Sequence, residues 1–173
     1  MREPTRNEPP ETLLHQLRQA REAVLFCHVA PDGDTLGSAR ALELLLNQLG
    51  WRTSIVADGQ LPARLGFLPG LTLCRPEEVG LPENAVAIAV DVSSPERLGK
   101  AEALYNAAVR RWVIDHHGTN PGFGHINWVE GSAPATAILV NRLYRALGVP
   151  LSREAAICLY TALSTDTGNF VYD

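Results

Sequence analysis

Apolar residues along this chain fall into two spacings, and the two alternate. Continuous runs at Val24-Leu25-Phe26-Cys27 and Ala85-Val86-Ala87-Ile88-Ala89-Val90 read as buried strands. Residues 51–57, partly alternating, and Arg111-Trp112-Val113-Ile114 add two more, while Thr72-Leu73 and Ile126-Asn127-Trp128 suggest a small strand and a short edge strand. Between them, apolar positions recur at helical spacing. Residues 11–23 predict a helix with Leu13, Leu14 and Leu17 as its stripe and Thr12 contributing to its cap. Residues 35–49 predict a second, capped by Thr35, turning Ala41, Leu42, Leu45, Leu46 and Leu49 inward, and stopped by Gly50. Gly37 and Ser38, near its start, permit close approach. Residues 98–108 place Leu104 and Tyr105 on a buried side, and residues 132–147 tolerate Pro134 in their first turn. Ser152 caps a last helix that stops near Ser164-Thr165. Residues 63–67 and 76–79 have too many breakers nearby for more than short helical turns. Strands alternating with helices make this an α/β chain, its sheet mainly parallel and flanked by helices.

Composition narrows the function classes. A chain of 173 residues is long enough for one domain with a sizeable core, and 46% apolar residues exclude disorder by composition. A formal net charge of −4 gives no support for a broad basic groove on long nucleic acid, but it leaves room for a short anionic substrate held at metals. No apolar run approaches a membrane span, and residues 1–10, expected to be loose, carry charge and prolines instead of the apolar core of a signal peptide. Cys27, Cys74 and Cys158 are odd in number and widely spaced, so reduced thiols in a cytoplasmic protein with no membrane partner are expected.

Polar residues with chemical potential gather at the ends of the apolar runs. The first strand leads into His28-Val29-Ala30-Pro31-Asp32-Gly33-Asp34, where Pro31 and Gly33 bend the chain into the next helix. Asp91 follows the 85–90 run, Asp115-His116-His117 follows the next strand, and Asp166-Thr167-Gly168-Asn169-Phe170 follows the last helix. Open α/β folds place ligands at this edge of the sheet. Carboxylates as close as Asp32 and Asp34 repel unless a cation neutralises them, and Asp with His forms a hard-to-borderline ligand set. His28 and Asp32 can face one ion, Asp34 a second, and Asp91 can bridge both. A carboxylate beside two imidazoles can orient one ring and leave the other for metal or phosphate. Two neighbouring divalent ions can activate water and hold phosphoryl oxygens. No His-Glu-x-x-His run supports a zinc protease, no glycine loop ends in Gly-Lys-Ser/Thr, and Asp32 and Asp34 would repel a dinucleotide's pyrophosphate. His125 is a weaker candidate near the site. Arg64 can reach toward a phosphate but reads first as a solvated arginine. His15 and Asp58 read as surface and turn residues.

These motifs resemble the DHH phosphoesterase family: His28-x-x-Pro31-Asp32-Gly33-Asp34-x-x-Gly37, Asp91, Asp115-His116-His117 and Asp166-Thr167-Gly168, in that order and from about Val24 onward. The resemblance implies a Rossmann-like parallel α/β domain with two Mn²⁺ ions, Mg²⁺ being the alternative. It assigns His28 and Asp32 to the first ion, Asp34, His116 and Asp166 to the second, and Asp91 to both. His117 would contact the phosphoryl group and Asp115 would support the histidine pair. The expected catalytic set is therefore Asp32, Asp34, Asp91, Asp115, His116, His117 and Asp166. Phe67-Leu68-Pro69-Gly70 and Asp166-Thr167-Gly168-Asn169-Phe170 look most like the branch that degrades very short oligoribonucleotides and dephosphorylates 3′-phosphoadenosine 5′-phosphate. RecJ-like single-strand DNA exonucleases, cyclic-dinucleotide phosphodiesterases and a non-catalytic metal-binding module are the alternatives. Expected organisation is an N-terminal segment and short helix over 1–22 and a catalytic domain over 23–173. The family's C-terminal substrate-binding domain, with its Gly-Gly-Gly-His run, is absent from this sequence, and it is the expected partner in a longer parent chain.

Overall fold

The computed structural model describes residues 8–171; of the loose start expected over residues 1–10, residues 1–7 lie outside them, while Pro9 is buried and Pro10 stands at the N-cap of the first helix. Six parallel strands form one sheet in the order β3-β2-β1-β4-β5-β6: β1 Glu22–Phe26, β2 Arg52–Val56, β3 Leu73–Cys74, β4 Val86–Val90, β5 Arg110–Asp115 and β6 Ile126–Val129. The order reverses at β1, with β2 and β3 on one side and β4 to β6 on the other. That reversal opens a crevice at the carboxyl ends of β1 and β4.

Alternation along the central strands divides the core. Leu25, Ile88, Val90, Trp112 and Ile114 face a large layer made by α1 (Glu11–Gln19), α2 (Gly33–Gln48), α4 (Thr136–Leu147) and α5 (Arg153–Asp166). Val24, Phe26, Ala87, Ala89 and Val113 face a smaller layer around Leu98, Ala101 and Tyr105, the last on α3 (Glu102–Ala107). The alanines of β4 leave room on that face for Tyr105, whose ring meets Phe26 edge-on at 5.4 Å.

Several boundaries differ from the sequence reading. The first helix ends at Gln19, because Glu22 and Ala23 already pair with Arg52 and Thr53 of β2, and Pro10, not Thr12, stands at its N-cap. The expected helix over 98–108 is interrupted at Gly99, whose φ of 58° kinks the 3₁₀ stretch Pro95–Ala101 from within; regular α-helix, α3, begins only at Glu102. A Cβ at Gly99 would meet Val29 Cγ1 at 2.5 Å and Asp58 Oδ2 at 2.7 Å. Asp58 accepts the Lys100 amide at 3.1 Å, and Val29 N donates to Arg97 O at 2.7 Å, so the loop after β4 is clamped to the turns after β2 and β1. The fourth long helix starts at Thr136, with Pro134 ahead of it.

Candidate metal centre

The turn after β1 supplies three groups at once. Asp32 is the N-cap of α2: its Oδ1 accepts the amides of Asp34 at 3.0 Å and Thr35 at 3.1 Å. Thr35, the expected cap, lies inside the helix and donates its hydroxyl to Val90 O at 2.9 Å, tying α2 to the end of β4. Capping leaves Asp32 Oδ2 facing His28 Nε2 at 3.5 Å. Burial resists ionisation of Asp32, but the His28 contact and the two amides outweigh it and hold the carboxyl below the usual carboxylate range.

Asp34 is 1% exposed and fully engaged. Its Oδ1 accepts from Ser38 Oγ at 2.8 Å and Ala137 N at 3.3 Å, and its Oδ2 from Thr136 N at 2.8 Å. The positive end of α4 is thus aimed at this carboxylate. Burial still pushes its pKa up, against those hydrogen bonds.

Asp91 follows β4 with a left-handed backbone, φ 58°, and is 3% exposed. Its Oδ2 is 3.8 Å from His28 Nε2 and its Oδ1 is 3.6 Å from His116 Nε2, while Thr136 Oγ1 donates to Oδ1 at 2.9 Å. Burial, then repulsion from Asp34, Asp32 and Asp115, pushes this carboxyl well above its ordinary range.

The imidazoles are pre-set as ligands. His28 Nδ1 lies 2.7 Å from Val29 O and His116 Nδ1 lies 3.0 Å from Ala133 O. A carbonyl only accepts, so each Nδ1 carries the proton and each Nε2 keeps its lone pair toward the carboxylates. Arg97 also approaches His28 Nδ1, at 3.3 Å; two donors cannot share a hydrogen bond, so the shorter carbonyl contact decides the tautomer. His117 is held differently: Nδ1 bonds Asp115 Oδ1 at 2.8 Å, and Asn120 Nδ2 fixes Asp115 Oδ2 at 2.7 Å. That Asp115 bond raises the His117 pKa.

Asp166 arrives from the far end of the chain as the last residue of α5, one to two residues beyond the expected stop near Ser164-Thr165. Its Oδ2 is 3.4 Å from His116 Nε2. Burial raises its pKa and His116 opposes the rise. Glycines on α2 permit this delivery: a Cβ at Gly37 would meet Cys158 O at 2.5 Å, and one at Gly33 would meet Thr165 Oγ1 at 2.3 Å.

Among the described residues three groups of ligand atoms result, each mutually within 4.8 Å: His28, Asp32 and Asp91; Asp34, His116 and Asp166; Asp91, His116 and His117. Two ligands on one cation with ~2.1 Å bonds stand at most about 4.2 Å apart. The imidazole-to-carboxylate distances of 3.4–3.8 Å meet that limit. They are also too long for hydrogen bonds that would satisfy the groups without an ion.

Residues 22–163 match the DHH family, N-terminal domain. The chain belongs to the DHH family. This DHH domain is 41% identical over 162 residues to the bifunctional oligoribonuclease and PAP phosphatase NrnA of Thermus thermophilus, which covers 91% of this chain and 48% of that protein. It is 30% identical over 152 residues to the bifunctional oligoribonuclease and PAP phosphatase NrnA of Bacillus subtilis, over 86% of this chain and 47% of that one. Among solved structures, an exopolyphosphatase-related protein from Bacteroides fragilis superposes with a TM-score of 0.84 at 26% identity, covering 94% of this chain and 51% of its own. The chain spans about half the length of these relatives.

The DHH fold gathers His28, Asp32, Asp34, Asp91, Asp115, His116, His117 and Asp166 at one crevice. It leaves His125 out: that ring accepts the Arg111 amide at 3.1 Å, beside the start of β5 and away from the ligand-bearing strand ends. Sequence reasoning missed Thr136, which touches both Asp34 and Asp91, together with Asn120 and the Ser38 hydroxyl. Nothing local marks Thr136; only the tertiary fold brings the start of α4 to Asp34 and Asp91, 102 and 45 positions earlier.

Proposed function

We propose that this DHH domain is the catalytic part of a phosphoesterase that holds two Mn²⁺ ions. Its substrates are very short oligoribonucleotides and the 3′-phosphate of 3′-phosphoadenosine 5′-phosphate. The observation that carries the reading is Asp91, which turns one carboxylate oxygen toward each of two ligand groups. His28, Asp32 and Asp91 would hold one ion; Asp34, His116, Asp166 and Asp91 would hold the other. Oxygen-rich ligation with one imidazole per ion suits Mn²⁺ or Mg²⁺ better than structural zinc. When bound, the two cations supply Lewis acidity to the phosphoryl oxygens and a water acidic enough to attack near neutral pH.

The chain's own residues prepare that chemistry. Asp34, pinned by Ser38, Thr136 and Ala137, stays oriented while charge develops. The Asp115 bond keeps the proton of His117 on Nδ1 in the neutral ring and favours the doubly protonated one. In that charged form Nε2–H is a donor for a phosphoryl oxygen. The names of the relatives support the substrate class, and the half of their length beyond this match would supply the substrate-binding partner.

The test compares kcat/KM on an RNA dinucleotide, 3′-phosphoadenosine 5′-phosphate, pyrophosphate and long single-stranded DNA, with Mn²⁺ and with EDTA, at one salt concentration. The expected result is Mn²⁺-dependent turnover with preference for the dinucleotide. Equal or better turnover of long DNA would overturn the substrate choice, and no turnover with bound metal verified would leave a binding module.

A further inference from the structure

Alongside the metal centre runs a groove of about 600 Å³, between α5 and the 3₁₀ turn Ala63–Leu65. Ile157, Phe67 and Tyr160 give it an apolar lining, Arg64 and Arg153 bring two guanidinium groups, and among the described residues no carboxylate lines it. Both aromatic side chains are open to solvent, Phe67 at 61% and Tyr160 at 64%. Elsewhere Arg40, Arg52, Lys100 and Arg142 pair with Glu43, Glu22, Asp58 and Glu130. Arg64 and Arg153 have no such partner among the described residues. A smaller pocket of about 180 Å³, lined by Asp32, Gly33, Arg64, Thr165 and Asp166, shares Arg64 and Thr165 with the groove. The groove therefore opens onto the carboxylates through Arg64.

An apolar lining with exposed ring faces and a cationic rim matches a planar apolar body that carries negative charge. A nucleotide has that chemistry: bases stack on aromatic side chains irrespective of sequence, and guanidinium groups bind phosphate. The volume falls in the range of small-ligand sites. A phosphate ester bound at the carboxylates and histidines would have this lane for its next residue. We infer that the groove is the subsite for the nucleotide adjoining the reacting phosphate, with its base against Phe67 and Tyr160 and its charge at Arg64. The inference rests on the phosphoesterase reading and adds which surface of this chain grips the substrate. It takes up the second reading of Arg64, as an exposed arginine within reach of a phosphate.

The test has two arms. In the first, kcat/KM is measured with Mn²⁺ on the dinucleotide pApA and on counterparts lacking either base. Tyr160→Ala and Phe67→Ala should each shrink the preference for base-bearing substrate at least tenfold. Arg64→Ala should raise KM about tenfold, with partial rescue in Arg64→Lys. In the second, AMP is titrated into ¹⁵N-labelled protein in EDTA, where amides of residues 63–67 and 153–165 should shift, and shift less in Arg64→Ala. AMP shifts in the groove with no turnover of any phosphate substrate would sink the enzyme reading and leave the nucleotide groove standing. Turnover of pApA with no AMP shifts there and wild-type kinetics in all these variants would overturn the groove and leave the enzyme. Variants that change sedimentation while kinetics stay as in wild type would overturn it in favour of a contact between copies.

Discussion

Asp91 is under two constraints at once. Its backbone holds a left-handed φ of 58°, a conformation that costs a non-glycine residue of order 1–3 kcal/mol, and its carboxylate is buried beside Asp34 and Asp32. Both penalties are accepted at the strand end where a shared ligand would sit. Thr136 supports it through a hydroxyl bond at 2.9 Å, so Thr136→Val should weaken metal affinity about 10- to 100-fold while its backbone bond to Asp34 remains. A metal titration of that variant indistinguishable from wild type would remove Thr136 from the account. Asp115 acts on His117 in the same indirect way. Asp115→Asn should lower the His117 pKa, since the carboxylate is what favours the charged ring; an NMR titration of the ring in metal-free protein reads this, and an unchanged midpoint would contradict it.

At the scale of elements, much of the architecture was legible because it rests on local pattern. The β4 run, the stripe of α2 with its stop at Gly50, and the Ser152 cap of α5 need no distant partner to be read. What was not legible depends on contacts across the fold. Asp32 and Thr35 were both capable caps, and the choice fell to the carboxylate that reaches two amides while Thr35 turns to Val90. The helix break at Gly99 is set by Val29 and Asp58 crowding that position. The candidate site residues were legible as motifs at the ends of strands and of the last helix, whereas their support from α4 was not. The α2–α5 contact yields a prediction. Gly37→Ala puts a methyl 2.5 Å from Cys158 O, so α5 must move. Overpacking of this kind costs about 1–3 kcal/mol and should also displace Asp166. Thermal melting and metal affinity should fall together; a variant that melts lower but binds metal normally would separate α5 packing from the site.

For the whole molecule, the sheet order places its reversal between β1 and β4, and every candidate ligand converges there from four separate stretches of chain. No described helix is long and apolar enough to cross a membrane. Concentrating carboxylates at one edge makes stability depend on pH and cations together. Asp34 and Asp91 have folded pKa values raised by burial above the ordinary carboxylate value. The folded state therefore binds more protons than the unfolded one between those values, and metal-free stability falls as pH rises through the raised pKa. His117, also raised, acts in the same direction, while Asp32, lowered, acts only below the ordinary carboxylate range. A cation bound to the ionised carboxylates offsets the loss. At about 100 times its dissociation constant it adds about 2.7 kcal/mol, or about 5–10 °C in melting temperature for a chain of this size. That Mn²⁺-induced shift should be larger at pH 7.5 than at pH 5.5, and equal shifts at the two pH values would contradict the linkage.

The most direct measurement is a Mn²⁺ binding isotherm on wild type and Asp91→Asn, with the bound metal counted independently. Asparagine tolerates the left-handed backbone and keeps the shape of the side chain while removing its charge. Two ions per chain in wild type, with both sites weakened in Asp91→Asn and essentially one weakened in His28→Ala, is the predicted result. Unchanged stoichiometry and affinity in Asp91→Asn would contradict a centre built around a shared carboxylate.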